Sequence, residues 1–451
     1  MKKSKIILIL FMVNLFVIMS VLSVSAFSNA DDYCGFDAEN LYLPNLPNVN
    51  SSSVFSVNQS SYDPRILNAT TPVKSQDNLG TCSLFATTAA FESAVYNETG
   101  LKSSYSEEAM RFVLSKNLYV RNGTGYYGYY CYDNNKIASF EGATQYLTNV
   151  NTPILSGNTT MWRAPNFESA VPYSGNTSIN YWPENMDSYA NAYATDIRRI
   201  SIDDIKEAIL EFGAVYKTFY YSEEIYNEST YSCYTDYSDG IVRLPNHAIA
   251  VVGWDDNYPK ENFSEDPEDS LPSDDGAWLI KNSYGVGFGD EGYAWVSYED
   301  DSFNRDEDAA VFSGVGKVSK NEFMLSYDFL PLVLKKGVDA DEDDGSVYIC
   351  NVYDVSEMID DYGTINKVTF YASNVGDTYN IYIAPVNSDG TIPDIETLTT
   401  DYGSENIDHE GYITEELDTP CPLDSNVDKY AIIIKFTTSN GIISLNQEGN
   451  G

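Results

Sequence analysis

Two hydrophobic periods alternate along this chain, and each change of period marks an element. Between residues 81 and 97 the apolar positions Leu84, Phe91, Ala94 and Val95 recur at helical spacing and Gly100 supplies a stop, which predicts a helix opened by Cys82. A second helix is predicted over 201–212, where Ile202, Ile205, Ile209 and Phe212 share a face and Ser201 with Asp204 stand as a capping pair. A strand follows at 214–221. The run 247–254, from His247 to Trp254, is apolar without alternation, so it predicts a strand buried on both faces with His247 at its edge. Further strands are predicted at 277–280, which delivers Asn282, and at 293–298. The segment from about 121 to 200 reads as loop-rich surface apart from a short helical stretch at 142–148. Beyond 318, strand-like runs at 367–371, 379–383 and 430–436 between polar turns predict a β-sandwich.

Both ends of this scheme are set apart. Lys2, Lys3 and Lys5 precede an apolar run over residues 6–24 and small residues ending at Ala26, the layout of an export signal with cleavage after Val24-Ser25-Ala26 or Ser28-Asn29-Ala30. The length of that run leaves an uncleaved membrane anchor as the alternative. Later stretches fall short of the roughly 20 apolar residues that cross a bilayer. Residues 27–60, rich in Asn, Ser and Pro, read as a linker or N-terminal strap. The expected division is therefore 1–26 leader, 27–60 strap, 61–317 first domain and 318–451 second domain. The second ends so soon after its last strand that truncation is part of the expectation.

Composition narrows the class. With 451 residues, 43% hydrophobic and 21% charged, the chain is long enough and apolar enough for two folded domains. Its formal charge of −41 repels nucleic acid and anionic lipid, which excludes both as partners except for membrane contact through the leader. Asn-x-Ser/Thr triplets occur from Asn50 to Asn262 and none follows, in keeping with an exported glycoprotein whose first domain is surface-exposed.

The six cysteines are Cys34, Cys82, Cys131, Cys233, Cys350 and Cys421, without a Cys-x-x-Cys pair, so no thiolate metal site is expected. In an oxidising compartment Cys131 with Cys233 and Cys350 with Cys421 keep each bridge within one region, leaving Cys82 and Cys34. Only Cys82 has a reason to stay free: it opens a helix, whose N-terminal partial positive charge favours a thiolate. A cysteine nucleophile needs a base, and the chain has two histidines, His247 and His409. His409 sits in the acidic loop 406–410 and reads as solvated surface. The acidic run 339–345 lacks the bidentate glutamate of a calcium loop at the required spacing, so it too reads as solvated; no metal and no cofactor is expected.

Three segments resemble the papain-like cysteine peptidases. The stretch Pro72-Val73-Lys74-Ser75-Gln76 followed by Gly80-Thr81-Cys82 resembles the family's nucleophile motif. Asn246-His247-Ala248 with Gly253-Trp254 resembles its histidine motif. Trp278-Leu279-Ile280-Lys281-Asn282-Ser283-Tyr284-Gly285, with Gly287, Gly289, Gly292 and Tyr293, resembles its asparagine motif. The resemblance covers about residues 61–315, in the family's order. It implies Cys82 as nucleophile, His247 as acid and base, Asn282 as orienter of the imidazole, and Gln76 as oxyanion donor with the Cys82 N–H. Gly142 would match the family's substrate-backbone glycine. Ser83 and Tyr284 depart from the pattern, each standing where the family has Trp, and a helical pro-domain has no room before Tyr62.

The expectation is an α+β protein: a two-lobed papain-like domain, a helical lobe plus a β-barrel-like lobe, then a lectin-like β-sandwich resembling that of exported prokaryotic and archaeal members. It would be secreted or held at the cell surface and would hydrolyse protein or peptide substrates through a Cys82 thioester. The alternative is a catalytically weakened surface adhesin that grips carbohydrate or a cell-wall polymer through its last domain. Acyl transfer to an amine is a third reading.

Overall fold

A computed structural model of the chain describes residues 15–20, 56–114, 119–121, 126–128, 140–149, 152–156, 159–163, 165–175, 190–264, 270–305, 309–318, 322–326, 334–341, 343–356 and 363–447. The expected leader cleavage sites, Cys34 and Cys131 lie outside them. Of the leader, the backbone of Leu15–Ser20 is described, as a strand between Glu322–Ser326 and Thr364–Ala372. No helix of the described residues is long and apolar enough to cross a membrane.

Three helices build the first lobe. Helix α1, Cys82–Thr99, buries nearly every residue of its first three turns and ends where Gly100 takes φ 70°, its N–H donating to the Tyr96 carbonyl. Helices α2 (Glu107–Leu114) and α3 (Phe140–Leu147) pack on it around Phe91, Tyr105, Met110 and Tyr146. Helix α4, Ile205–Phe212, follows a single 3₁₀ turn, Ile202–Asp204, with Ser201 Oγ accepting from the Asp203 N–H; the cap uses Ser201 without Asp204.

The second lobe is a sheet whose central strands run in the order Ala192–Arg199, Ala310–Lys317, Val215–Phe219, His247–Asp255, Ala277–Lys281 and Tyr293–Ser297, each antiparallel to its neighbour. His247–Asp255 is the strand between both partners, and eight of its nine residues are buried, the physical reason for its unbroken apolarity. One face of it carries α1. The other packs Trp254, Trp278, Phe219 and Phe303 into a separate core.

Ala192–Arg199 corrects the reading of 121–200 as loop. Its sequence mixes apolar, polar and charged residues without clean alternation, so pairing on both edges makes it a strand, not its own pattern. One of those edges meets Gly411 and Tyr412 of the strand Gly411–Pro422, so the two domains share a continuous sheet. Gly411, at φ 148°, admits this: a Cβ there would lie 1.7 Å from the Ile197 carbonyl oxygen.

The C-terminal part is a sandwich. Thr364–Ala372 and Gly411–Pro422 face a four-stranded sheet, Ser346–Asp354, Lys429–Thr437, Thr378–Pro385 and Ser404–Asn406, across a core that includes Ile349, Phe370, Ile381, Ile434 and Phe436.

Two expectations fail here. Cys350 and Cys421 are free, as is Cys233. Strand alternation separates the first two: Cys421 belongs to the sandwich core, whereas Cys350 points to the outer face of the opposite sheet beside Ala431 and Ile433. His409 is buried, not solvated, with Nδ1 2.5 Å from Asp408 Oδ1 and Nε2 facing the Tyr412 carbonyl.

Candidate active site

Four side chains singled out from the sequence meet where α1 abuts the His247 strand. Cys82 is the first residue of α1 and is buried with Ala248 in the same core, where the nearby backbone N–H groups of Ala248, Ser83 and Cys82 itself favour its thiolate. Thr81 before it holds Tyr173 Oη at 3.0 Å, which helps fix the helix start. Gly142, by contrast, is buried in the first turn of α3.

Asn282 follows the strand Ala277–Lys281, and its backbone N–H donates to the Gly292 carbonyl at 3.0 Å. Gly292 has to be glycine: φ is 96°, and a Cβ would lie 2.4 Å from Val73. Asn282 Oδ1 accepts from the Ser283 N–H at 2.7 Å and stands 2.8 Å from His247 Nε2. The Ser283 N–H can only donate, so the amide oxygen must face it, and the imidazole must carry its proton on Nε2. The lone pair is thereby assigned to Nδ1, which faces Tyr284 Oη at 3.4 Å.

Gln76 is held by the same loop. Its backbone N–H donates to the Ser283 carbonyl at 2.8 Å, its Oε1 accepts from Ser283 Oγ at 2.6 Å, and its Nε2 donates to the Leu79 carbonyl at 2.5 Å. One amide hydrogen of Nε2 is spent on Leu79, and the second remains for another acceptor.

Burial opposes charge on either partner alone. It pushes the Cys82 thiol up, against the lowering effect of the three backbone N–H groups, and pulls His247 down to about 4, against the Asn282 hydrogen bond. The unfolded chain therefore takes up the His247 proton first as pH falls. The resulting stability is full above about pH 6.5 and is lost as pH drops toward 4, worth about 3 kcal/mol. In urea titrations from pH 7 to 4, His247→Gln should lose less stability than wild type by roughly that amount. Equal losses would reject the assignment.

Sequence reading missed the support behind the site. Lys74 Nζ is 2.8 Å from both Glu92 Oε1 and Glu107 Oε1 and 2.6 Å from the Tyr105 carbonyl. Burial pulls this lysine down, and the two carboxylates outweigh it and hold it up. Lys281, fully enclosed nearby with Nζ on Thr71 Oγ1, is pulled down to about 8 by burial. Together with Asn282 and Ser283 these residues line a cavity of about 20 Å³, where Asn282 Nδ2, Glu92 Oε2 and Glu107 Oε2 have no protein partner. Its size and polarity suit one water. Glu92, a carboxylate among the apolar positions of α1, was the available signal. Ser83 departs from the family pattern without disturbing the site: it is buried, 3.4 Å from Tyr216 Oη.

The family model described as papain family cysteine protease matches residues 58–312, more than half of the chain. The chain belongs to the papain family of cysteine proteases. A lectin-like domain model matches residues 326–450 of this papain-family chain. Two solved structures of the clostridial cysteine protease Cwp84, one after propeptide cleavage and one of its protease and lectin-like domains from Clostridium difficile, are each 25% identical. They cover 88% of this chain and 89% and 79% of theirs, with TM-scores of 0.69 and 0.68. The oryzain gamma chain of Oryza sativa subsp. japonica is 28% identical over 49% of this chain. This papain-family chain spans about half the length of the curated relatives it matches.

Proposed function

We propose that this protein hydrolyses peptide bonds, with Cys82 as nucleophile, His247 as acid and base, Asn282 as orienter and Gln76 as oxyanion donor. The observation that carries the reading is the Asn282 oxygen shared by the Ser283 N–H and His247 Nε2, which leaves the lone pair on Nδ1 of the histidine next in sequence to Ala248, a core neighbour of Cys82. In the reaction His247 Nδ1 takes the thiol proton as Sγ bonds to the scissile carbonyl carbon. The Cys82 N–H and the second hydrogen of Gln76 Nε2 receive the oxyanion. Collapse breaks the C–N bond, and the imidazolium gives its proton to the leaving amine. Water then attacks the thioester with His247 as base, releasing a carboxylic acid and restoring the thiol.

The division 61–317 and 318–451 is proposed with this function, the second domain binding carbohydrate or a cell-wall polymer. Export to the cell surface is supported by the lysine-flanked apolar leader and by likeness to Cwp84, a surface layer associated protein.

An epoxide or vinyl-sulfone peptide analogue should label Cys82 in wild type, read by peptide mass mapping, and label His247→Ala at least about 100-fold more slowly. Folded wild type that neither takes label nor cleaves peptides would favour the surface adhesin. Product analysis with an added amine separates hydrolysis from acyl transfer to an amine.

A further inference from the structure

The residue that replaces the family's tryptophan makes a contact that an indole in its place does not reproduce. Tyr284 stacks on the His247 ring at 4.8 Å between centroids and 30° between planes, with Oη 3.4 Å from Nδ1. That nitrogen bears the imidazole's lone pair, because Nε2 is committed to Asn282 Oδ1. In the proposed reaction two donors compete for this one acceptor: the Cys82 thiol, which must deliver its proton there, and the Tyr284 phenol. In this structure the phenol oxygen is the group that stands against Nδ1. Tyr284 is held in place by a backbone bridge to Ser75 and by edge-on contacts with Tyr221 at 5.7 Å and Phe288 at 5.4 Å, so the hydroxyl's position is set by packing.

We propose that Tyr284 is a positioning residue whose hydroxyl donates to His247 Nδ1 and holds the resting site as neutral thiol and neutral imidazole, in competition with the thiolate–imidazolium pair. The proposal rests on the reading of Cys82 and His247 as the reacting pair. Proton transfer from Cys82 puts a hydrogen on Nδ1, which removes the acceptor and breaks the Tyr284 contact. The hydroxyl therefore stabilises the neutral pair and leaves the fully protonated site untouched. Other titratable groups around the two rings are Cys82 from α1, Tyr221 and Tyr226 from the segment after Val215–Phe219, and Cys233, with Glu223 behind Tyr221. All of them remain in Tyr284→Phe, which keeps the ring and deletes only the oxygen.

The test is the rate of Cys82 alkylation by iodoacetamide in the full chain from pH 4 to 9, for wild type, Tyr284→Phe, Tyr284→Trp and His247→Ala. Tyr284→Phe should raise the plateau between the acid and alkaline limbs about two- to tenfold, the weight of one hydrogen bond. Its acid-limb midpoint should move upward by at most about one pH unit, with the rate well below that limb unchanged. Tyr284→Trp should follow Tyr284→Phe. A plateau equal to or below wild type overturns the proposal.

If wild-type Cys82 reacts no faster than in His247→Ala, the peptidase reading fails, and ring-nitrogen NMR then decides the contact by itself. The chain has two histidines, and His409 Nδ1 is engaged by Asp408, so His247 is readily assigned. A different His247 Nδ1 resonance in Tyr284→Phe upholds the hydrogen bond, and an identical one refutes it.

Discussion

Cys82→Ala should lower kcat/KM for peptide hydrolysis by about 10⁴- to 10⁶-fold, the scale seen when the nucleophile of a catalytic triad is removed. The remaining site can still bind substrate and offer the Cys82 N–H and Gln76 as oxyanion donors, but water would have to attack unaided. The fold should survive. The lost sulfur sits at the buried start of α1, and the volume removed is small. A cost of about 1 kcal/mol, a few degrees in melting temperature, is expected. Active-site titration with the epoxide inhibitor and a thermal melt of the same sample provide the check. More than about one part in 100 of wild-type activity in a homogeneous Cys82→Ala preparation would mean another group is the nucleophile.

The largest stability loss should come from Lys74→Met. Glu92 and Glu107 are each about 1% exposed, and Lys74 lies between them with only its side-chain edge reaching solvent. Removing the lysine leaves two enclosed carboxylates without their cation, a change that costs about 3–5 kcal/mol in buried pairs. The escape is protonation: burial already pushes the Glu107 carboxyl up, and without the lysine that lowers it the rise is larger in the folded variant. Stability is then retained at low pH and lost as pH rises, so the deficit should be largest near pH 7 and shrink toward pH 5. Urea unfolding at the two pH values measures it; a deficit under about 1 kcal/mol at pH 7 would contradict the burial argument. The site should suffer too, because the Lys74 carbonyl accepts from the Gly285 N–H in the loop that carries Asn282.

The residues proposed to carry the chemistry could be singled out because each sits where local physics leaves a mark. Cys82 opens a helix whose apolar spacing is visible, and His247 begins a strand so apolar that burial on both faces was implied. The ionic cluster was not legible, since Lys74, Glu92, Glu107 and Lys281 come from four separate segments and only Glu92 interrupts an apolar pattern. The disulfide guess for Cys350 and Cys421 failed for a related reason: spacing in sequence carries no information about which sheet face a side chain takes once register is set.

Sequence alone determined the α+β class and the order of helical and β-rich parts, and it supplied the proposal for the cysteine, histidine and asparagine, because helical and strand periods and short motifs are properties of neighbouring residues. Tertiary structure decided what depends on distant residues meeting: the pairing that makes Ala192–Arg199 a strand and joins the domains, the tautomer of His247, and the placement of the Tyr284 hydroxyl on its lone pair. It also set the balance of charge at the site. A helix N-terminus favours a thiolate locally, whereas the burial that opposes it exists only after the two lobes close over Cys82 and His247.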